Sequence, residues 1–365
     1  MDTNDRCIAP SLTVVIVNWN RRRHLEELLT DLHNQTEQAE EIVVVDNDST
    51  DGSADMVERE HPGVRLLRLR ENMGLAHGRN LGIASSNSEL IEFLDDDIRI
   101  LDRQFLAKVR QSAIQHPDCG IISFHFIEGL WSHSKPRGLE RVFSTDELSR
   151  LAGLNQNPAR ASAFYEFDFP GGACVIRREI FHKIGFFDEG FWYGGEECDF
   201  AYRCHRDGVR LLRDTSLWVI HLRSPDMRIK NGTDLGLKNY IIAQSRYMPF
   251  TDLCLFLMFQ FLKSALVAIQ ARKIRSFCWI CWQVIKEWRS RVSMRRKPVS
   301  RRTMWSWYYL RVNQPERFPD GTSVRTTPLR FYAHRARIWI MDQNEPRQFV
   351  TMLPEATLGQ DCVTR

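Results

Sequence analysis

Short apolar runs that end in polar residues are the most constraining feature of this sequence. Residues 12–18, 41–45, 64–69 and 90–94 have the length and apolar content of strands buried in a parallel sheet. Segments with helical spacing of apolar residues, such as 24–32, lie between them. Strands that alternate with helices predict right-handed βαβ units, and so an α/β fold with a Rossmann-like, mainly parallel sheet flanked by helices.

Polar side chains gather at the points where three of these strands end. They are Asn18 and Asn20, the stretch 46–53, and Asp95 to Asp97. In an open α/β sheet, ligands bind outside the carboxyl ends of the strands, so we expect these residues to form one site. The turn after the first strand lacks the glycines of a dinucleotide fingerprint and those of a phosphate-binding loop. The sheet is therefore expected to bind phosphate groups by another means.

The acidic triplet Asp95-Asp96-Asp97 offers such a means. Carboxylate oxygens suit Mg²⁺ or Mn²⁺, and either ion neutralises phosphate charge and stabilises a leaving nucleotide diphosphate. The simpler alternative is a solvated acidic turn that caps the next helix. Three adjacent like charges directly after an apolar strand favour the metal-binding interpretation.

Four motifs in this order resemble those of the family 2 glycosyltransferases of the GT-A fold, and especially those of bacterial rhamnosyltransferase-like enzymes. The motifs are the stretches 14–20, 42–53 and 71–82 and the acidic triplet, and the resemblance extends over residues 12–225. It implies a hexosyl- or deoxyhexosyltransferase. The donor would be a nucleotide-diphosphate sugar, the acceptor a saccharide or a lipid-linked saccharide, and no nucleic acid would be bound.

The resemblance also implies roles for single residues on the donor side. Asp46 would bond the nucleobase. The full set expected to bind the nucleotide sugar is Asn18, Asp46, Asp48, Arg79, Asn80, Asp95 and Asp96. The Mn²⁺ or Mg²⁺ ion would be bound by Asp97 and His221, with Asp95 as a further ligand. The alternatives are that Asp46 shapes only its own turn, that Arg79 lies on a helix surface, and that His221 is structural.

The acceptor side would come from a glycine pair and an aromatic run later in the chain. Gly171 and Gly172 allow a ligand to approach the backbone closely, and Trp192 offers a flat face to a sugar ring. Packing in the core is the alternative for the aromatic residues. The family carries a Glu-Asp pair whose aspartate is the general base, and here the pair reads Glu196-Glu197. Glu197 would therefore deprotonate the acceptor hydroxyl in a single inverting displacement, with Glu196 beside it.

The sequence divides into three regions. Residues 1–230 form the expected catalytic domain, with a nucleotide-binding part at 10–125 and an acceptor part at 165–230. A polar stretch between the two parts is expected to form a loop or lid. Residues 231–300 are apolar and basic and are expected to be helical, and residues 301–365 carry no motif that indicates a role.

The apolar stretch 250–271 is long enough to cross a membrane once, but Asp252, Gln260 and Lys263 interrupt it. These interruptions, the tryptophans that follow and the arginine-rich run at 289–302 favour helices that lie in a membrane interface, with the basic residues facing anionic lipid. The alternative is a helical bundle that packs on the catalytic domain. Nine scattered cysteines, odd in number and without regular spacing, and no apolar h-region near the N-terminus, predict a cytoplasmic protein, peripheral at the inner face of the cytoplasmic membrane.

Two other classes of protein share parts of this pattern. A nucleotidyltransferase uses a similar sheet and a carboxylate-bound metal, but the turn after its first strand would be rich in glycine, and the turn from Asn18 to Arg23 has none. A non-catalytic protein that binds a nucleotide sugar or a lipid would not need Asp95, Asp97 and Glu197 together. The sequence therefore favours the glycosyltransferase.

Overall fold

The computed structural model covers most of the catalytic and helical regions. The predicted loop between the two catalytic parts and the extension 301–365 lie mostly outside the residues that the structure describes. The described residues are 9–128, 163–222, 232–270, 272–301 and 304.

The first half of the fold alternates strands with helices, as the apolar runs predict. Its elements are β1 (Leu12–Asn18), α1 (Arg22–His33), β2 (Glu41–Asp46), α2 (Ser53–Glu60), β3 (Arg65–Arg68), α3 (Leu75–Ser85) and β4 (Leu90–Asp95). β1 pairs in parallel with β2 and with β4, and β3 extends the sheet beyond β2. The register places Asn18 opposite Asp46 and Val17 opposite Asp95, so these three strands end at one edge of the sheet.

The second half of the fold adds strands of both directions. Its elements are β5 (Ile98–Arg99), α4 (Phe105–Gln115), β6 (Cys119–Glu128), β7 (Ala163–Tyr165), β8 (Ala173–Arg177), α5 (Arg178–Ile184), α6 (Glu196–Arg206) and β9 (Arg210–His221). The strand order is β3-β2-β1-β4-β8-β6-β9-β5, and β7 pairs with β9. β8 runs antiparallel between β4 and β6, so the start of β8 lies beside the end of β4.

Helices cover both faces of the sheet. The helical spacing of the α1 leucines is confirmed as a packing surface, since the fully buried members are Leu25, Leu28, Leu29 and Leu32. Burying a leucine stabilises the fold by about 2 kcal/mol. On the other face, α3 packs unusually close to β1, because a Cβ at Gly82 would lie 2.3 Å from Val15 Cγ1. This close packing brings Arg79 and Asn80 of α3 onto the sheet.

The described C-terminal residues form helices, and one of these helices packs on the catalytic part. They are α7 (Gly232–Tyr247), α8 (Phe250–Gln270) and α9 (Ile274–Glu287), followed by a π-helical turn (Trp288–Val292) and a 3₁₀ turn (Ser293–Arg295). α7 packs against α6 and α9. Ile242 and Ala243 of α7 are fully buried in one cluster with Phe191 of the catalytic part. The bundle interpretation of the C-terminal region therefore applies to α7.

α8 has an apolar outer surface. Among the described helices, α8 is long and apolar enough to cross a membrane, with a mean hydropathy of 1.8 and 22% of that stretch buried. Its first turn is packed on one side, because Asp252 is buried and accepts a hydrogen bond from Arg301 Nε at 3.1 Å. Exposed apolar side chains recur at helical spacing along one stripe, at Leu255, Met258, Phe259, Leu262, Leu266 and Ile269.

Candidate functional site

Asn18 and Asp46 lie side by side at the ends of β1 and β2. Asn18 Nδ2 donates hydrogen bonds to Asp46 Oδ1 and to Ser49 Oγ, both at 3.1 Å, and the Ser49 amide donates to Asp46 Oδ2 at 3.0 Å. Asp46 therefore shapes its own turn, and Asp48 lies exposed in that turn with a φ of 65°. Asn18 Oδ1 is buried and has no hydrogen-bond partner among the described residues, so it can accept a hydrogen bond from a ligand.

Asp95, Asp97 and His221 come together at the end of β4. Ile98 of β5 pairs with His221, so the short strand β5 brings the end of β9 to the acidic triplet. One ligand atom from each of the three residues lies within 4.8 Å of the other two. Asp97 Oδ1 is buried without a well-aligned hydrogen bond among the described residues, although His221 Nε2 lies 3.2 Å away. Two carboxylates, one with an unsatisfied buried oxygen, and an imidazole fit a Mn²⁺ or Mg²⁺ ion.

Arg21, directly before α1, pairs with the acidic triplet. Its Nη1 lies 2.6 Å from Asp96 Oδ1 and 2.9 Å from Asp97 Oδ2. One oxygen of Asp97 therefore contacts Arg21, while the other lies beside His221. Asp96 is buried in the contact with Arg21, and its role in nucleotide binding stays a prediction. Sequence reasoning missed Arg21, although its position in the turn after β1, among the polar residues at the strand ends, was a usable signal.

Burial and neighbouring charges change the pKa values of the triplet. Burial raises the pKa of Asp95, although a nearby guanidinium opposes it, and burial raises the pKa of Asp96 to about 7 despite the contact with Arg21. Burial also acts to raise the pKa of Asp97, but His221 and Arg21 outweigh it and lower the pKa below its usual range. Asp97 is thus the most readily ionised member of the triplet, as a metal ligand requires.

Arg79 of α3 contacts three carboxylates although it is only 2% exposed. Its Nη2 lies 3.4 Å from Asp95 Oδ1, and its Nη1 lies 3.2 Å from both Glu196 Oε1 and Glu197 Oε1. This burial excludes the alternative of a surface helix residue. Burial and the charge of Glu197 raise the pKa of Glu196 well above its usual value. Arg79 joins the donor side to the acceptor side, and its contact with the nucleotide stays a prediction.

Asn80 of α3 forms hydrogen bonds with Phe187 and Glu189, where the expected acceptor side begins. Its Nδ2 donates to Phe187 O at 2.9 Å and to Glu189 Oε1 at 3.0 Å, and its Oδ1 accepts from the Phe187 amide at 3.0 Å. The protein therefore satisfies both polar atoms of this side chain. Asn80 supports the stretch 188–195, called the acceptor loop below, and its expected contact with the nucleotide stays a prediction.

Trp192 lies half-buried in the acceptor loop, against the stretch that leads into α3. Its Nε1 donates to Asn72 O at 3.1 Å, and its carbonyl accepts from the Leu75 amide at 3.1 Å. Phe187 and Phe191 on either side are buried in the core. The aromatic run is therefore divided: the phenylalanines pack in the core, whereas Trp192 keeps part of its ring accessible.

Gly171 and Gly172 lie directly against the charged groups. A Cβ at Gly172 would lie 2.0 Å from Asp95 Cγ, and a Cβ at Gly171 would lie 2.5 Å from Arg79 Nη1 and from Glu197 Oε1. The Gly172 carbonyl also accepts a hydrogen bond from the Asp95 amide at 3.1 Å. Any side chain at these positions would displace a carboxylate or the guanidinium, so only glycine permits this approach.

A cluster that could hold a metal lies at the carboxyl edge of an α/β sheet, where ligands of such sheets bind, and a carboxylate pair is joined to it. Residues 13–185 match the family model for Glycosyl transferase family 2. This part of the chain is therefore similar to that family, as the four motifs predict.

Curated relatives agree with the family. The hexosyltransferase Agl10 of low-salt glycan biosynthesis from Haloferax volcanii is 27% identical over 225 residues, which cover 59% of this chain and 68% of the relative. The uncharacterized glycosyltransferase YfnE from Bacillus subtilis is 24% identical over 249 residues, which cover 55% of this chain and 62% of the relative. The chain thus spans about two thirds of the length of these relatives.

A solved structure supports the fold. The crystal structure of GalNAc-T7 with UDP, GalNAc and Mn²⁺ is similar with a TM-score of 0.52 and 17% identity, over 80% of this chain and 59% of that one. The predicted fold class, a GT-A α/β sheet flanked by helices with a C-terminal helical region, is confirmed.

We expect Gly172→Ala to weaken Mn²⁺ binding at least about tenfold, because the new Cβ would force Asp95 from its position at the cluster. Electron paramagnetic resonance of the unbound ion measures the affinity, and thermal unfolding measures whether the variant folds. Gly63→Ala is the matched control, since nothing lies within 4 Å of a Cβ there. Equal Mn²⁺ affinity in the two variants would contradict the assignment of Asp95 to the metal site.

Proposed function

We propose that this chain transfers a hexose or deoxyhexose from a nucleotide-diphosphate sugar to a saccharide or lipid-linked saccharide, by an inverting displacement assisted by Mn²⁺ or Mg²⁺. The observation that carries the proposal is the position of Arg79 between Asp95 and Glu197. Because one buried guanidinium contacts both carboxylates, the donor-side cluster and the general base belong to a single site.

The donor is proposed to bind along the edge formed by the ends of β1, β2 and β4. The buried acceptor atom Asn18 Oδ1 and the neighbouring Asp46 suit the N–H groups of a nucleobase. A divalent cation bound by Asp95, Asp97 and His221 would neutralise the charge that develops on the leaving diphosphate. The GalNAc-T7 structure contains UDP and Mn²⁺, which supports this class of donor and metal.

Glu197 is proposed as the general base. Its side chain is 25% exposed, so an acceptor hydroxyl can reach it while Arg79 contacts one of its oxygens. Glu197 takes the hydroxyl proton as the hydroxyl oxygen attacks the anomeric carbon, and the bond from that carbon to the diphosphate oxygen breaks, with the electron pair leaving on the diphosphate. Attack from the face opposite the leaving group inverts the anomeric configuration. Trp192 offers a flat surface to the acceptor sugar.

The purified chain should release free nucleotide diphosphate from one member of a panel of UDP-, dTDP- and GDP-sugars, with a membrane lipid extract as acceptor. EDTA should abolish this release, and so should Asp97→Ala, because both remove the cation from the diphosphate. Glu197→Gln should lower kcat at least about 100-fold and leave donor affinity unchanged, because it removes only the base.

Glu58→Gln is the control for these variants, since it changes an exposed carboxylate whose described ion pair is with Arg68, outside the proposed site. Release of sugar 1-phosphate in place of the nucleotide diphosphate would identify a nucleotidyltransferase and contradict the proposal. Donor binding without release under every condition would support the non-catalytic alternative.

The C-terminal helices are proposed to lie on a membrane surface at the inner face of the cytoplasmic membrane. Besides the apolar stripe of α8, the helix α9 has the exposed apolar side chains Trp282 and Ile285. Exposed basic residues stand at the turn between these helices, at Arg272, Lys273 and Arg275. Because Asp252 and Leu253 in the first turn of α8 are buried and most of its exposed apolar side chains lie along one stripe, this geometry favours a helix lying in the interface. A membrane-bound enzyme would meet a lipid-linked acceptor directly.

The chain should float with anionic liposomes at low salt, and it should float less at high salt because the basic residues are then screened. Leu262→Glu combined with Leu266→Glu should reduce the bound fraction at least about fivefold, because charges then replace the apolar stripe. Ile114→Glu is the control, since Ile114 is an exposed apolar residue on the distant helix α4. No flotation of the unaltered chain would contradict the membrane proposal.

A further inference from the structure

Phe191, in the acceptor loop, is part of the core of the C-terminal helices. Its ring is fully buried in one cluster with Ile242 and Ala243 of α7 and with Val292 of the π-helical turn. The C-terminal helices therefore contact the acceptor side of the site directly. A substrate-binding loop of this kind takes its shape from the side chains that pack around it.

Two guanidinium groups lie on the Phe191 ring. The Cζ atom of Arg291 is 4.4 Å from the ring centroid, and the Cζ atom of Arg246 is 4.8 Å from it. The ring quadrupole attracts cations at this distance, and more strongly where water is excluded. Arg246 is 2% exposed and the Arg291 side chain is 13% exposed, so both contacts lie largely out of water.

Hydrogen bonds fix the two arginines. Arg246 Nη1 donates to Asp188 Oδ2 at 2.8 Å and to Asp199 Oδ1 at 2.6 Å. Arg246 Nε donates to the Arg291 carbonyl at 2.7 Å, and Arg291 Nη1 donates to Glu287 Oε2 at 2.9 Å. Arg291 also stands in a π-helical turn, a rare structure that often occurs at functional sites.

Arg291 reaches the acceptor loop at a second point. Its Nη1 lies 3.3 Å from Asn239 Oδ1, and Asn239 Nδ2 donates to Tyr193 O at 3.0 Å. Arg291 is therefore connected to the loop directly at Phe191 and through Asn239 at Tyr193. The chain passes from there into α6, and Glu197 is the second residue of that helix.

We propose that Arg291 is a positioning residue for the acceptor, which orders the acceptor loop and thereby sets the positions of Trp192 and Glu197. This inference rests on the proposed function and adds to it a determinant of acceptor affinity in the C-terminal helices. None of the contacts described for Arg291 involves a donor-side residue. Its effect therefore falls on the acceptor and leaves donor binding alone.

Amide hydrogen exchange in the full chain tests the ordering of the loop. The amides of Gly190 and Phe191 donate to Asp188, at 3.0 Å and 2.9 Å. We expect both to exchange about tenfold faster or more in Arg291→Met than in Arg289→Met, because the first variant loses the nearer of the two cations on the Phe191 ring and the contact with Asn239. Arg289 is the matched control, an exposed arginine in the same turn. Equal exchange in the two variants would overturn the proposal, whether or not the chain is active.

Kinetics separate positioning from a general loss of structure. In Arg291→Met the KM for the acceptor should rise about tenfold, while the KM for the donor and the acceptor-independent hydrolysis of the donor should change less than about twofold. Arg291→Lys keeps the charge and should restore most of the acceptor affinity. Proportional losses for donor and acceptor, or values equal to those of Arg289→Met, would overturn the proposal. If the unaltered chain turns over no donor, the proposed function has failed, and the exchange measurement alone decides about Arg291.

Discussion

The buried guanidinium of Arg79 is the group on which the rest of the site depends. A cation that is 2% exposed is stable only among carboxylates, because loss of the partner of a buried charge costs about 3–5 kcal/mol. Asp95 comes from the end of β4, and Glu196 and Glu197 begin α6, so pairing with Arg79 fixes these elements relative to α3. The proposed donor side and the proposed acceptor side are therefore joined by the contacts of Arg79 within the folded protein.

The need to balance buried charges also explains the pKa values in the acidic triplet. Five carboxylates meet at this edge of the sheet, and Arg21 and Arg79 are the guanidinium groups described in contact with them. Burial raises the pKa of Asp96 and of Glu196, which reduces the negative charge that has to be balanced. Asp97 stays ionised and has an unsatisfied oxygen, so the remaining charge lies where a divalent cation fits.

Strand ends could be predicted from sequence because an apolar run and the polar residue that closes it are local patterns, as at Asn18, Asp46 and Asp95. Contacts between segments that are far apart along the chain could not be predicted from sequence. Asn80 bonds Phe187, 107 residues later, and this anchor for the acceptor loop left no local signal. The aromatic run was ambiguous for the same reason, since burial depends on the packing of α7. The glycines at 171 and 172 were recognised as sites of close approach, but the groups they approach became known only from the fold.

A double-mutant cycle between Arg79 and Glu197, measured as the free energy of unfolding in urea, tests most directly whether one buried contact joins the two sides of the site. Arg79→Met and Glu197→Gln are measured singly and together. The predicted coupling free energy is about 1 kcal/mol or more, because each single change removes the charged contact between Arg79 and Glu197 and leaves the remaining charge with one partner fewer, whereas the double change removes both charges. Single effects that add to within about 0.5 kcal/mol would show that the two side chains do not interact, and would contradict a single site built around Arg79.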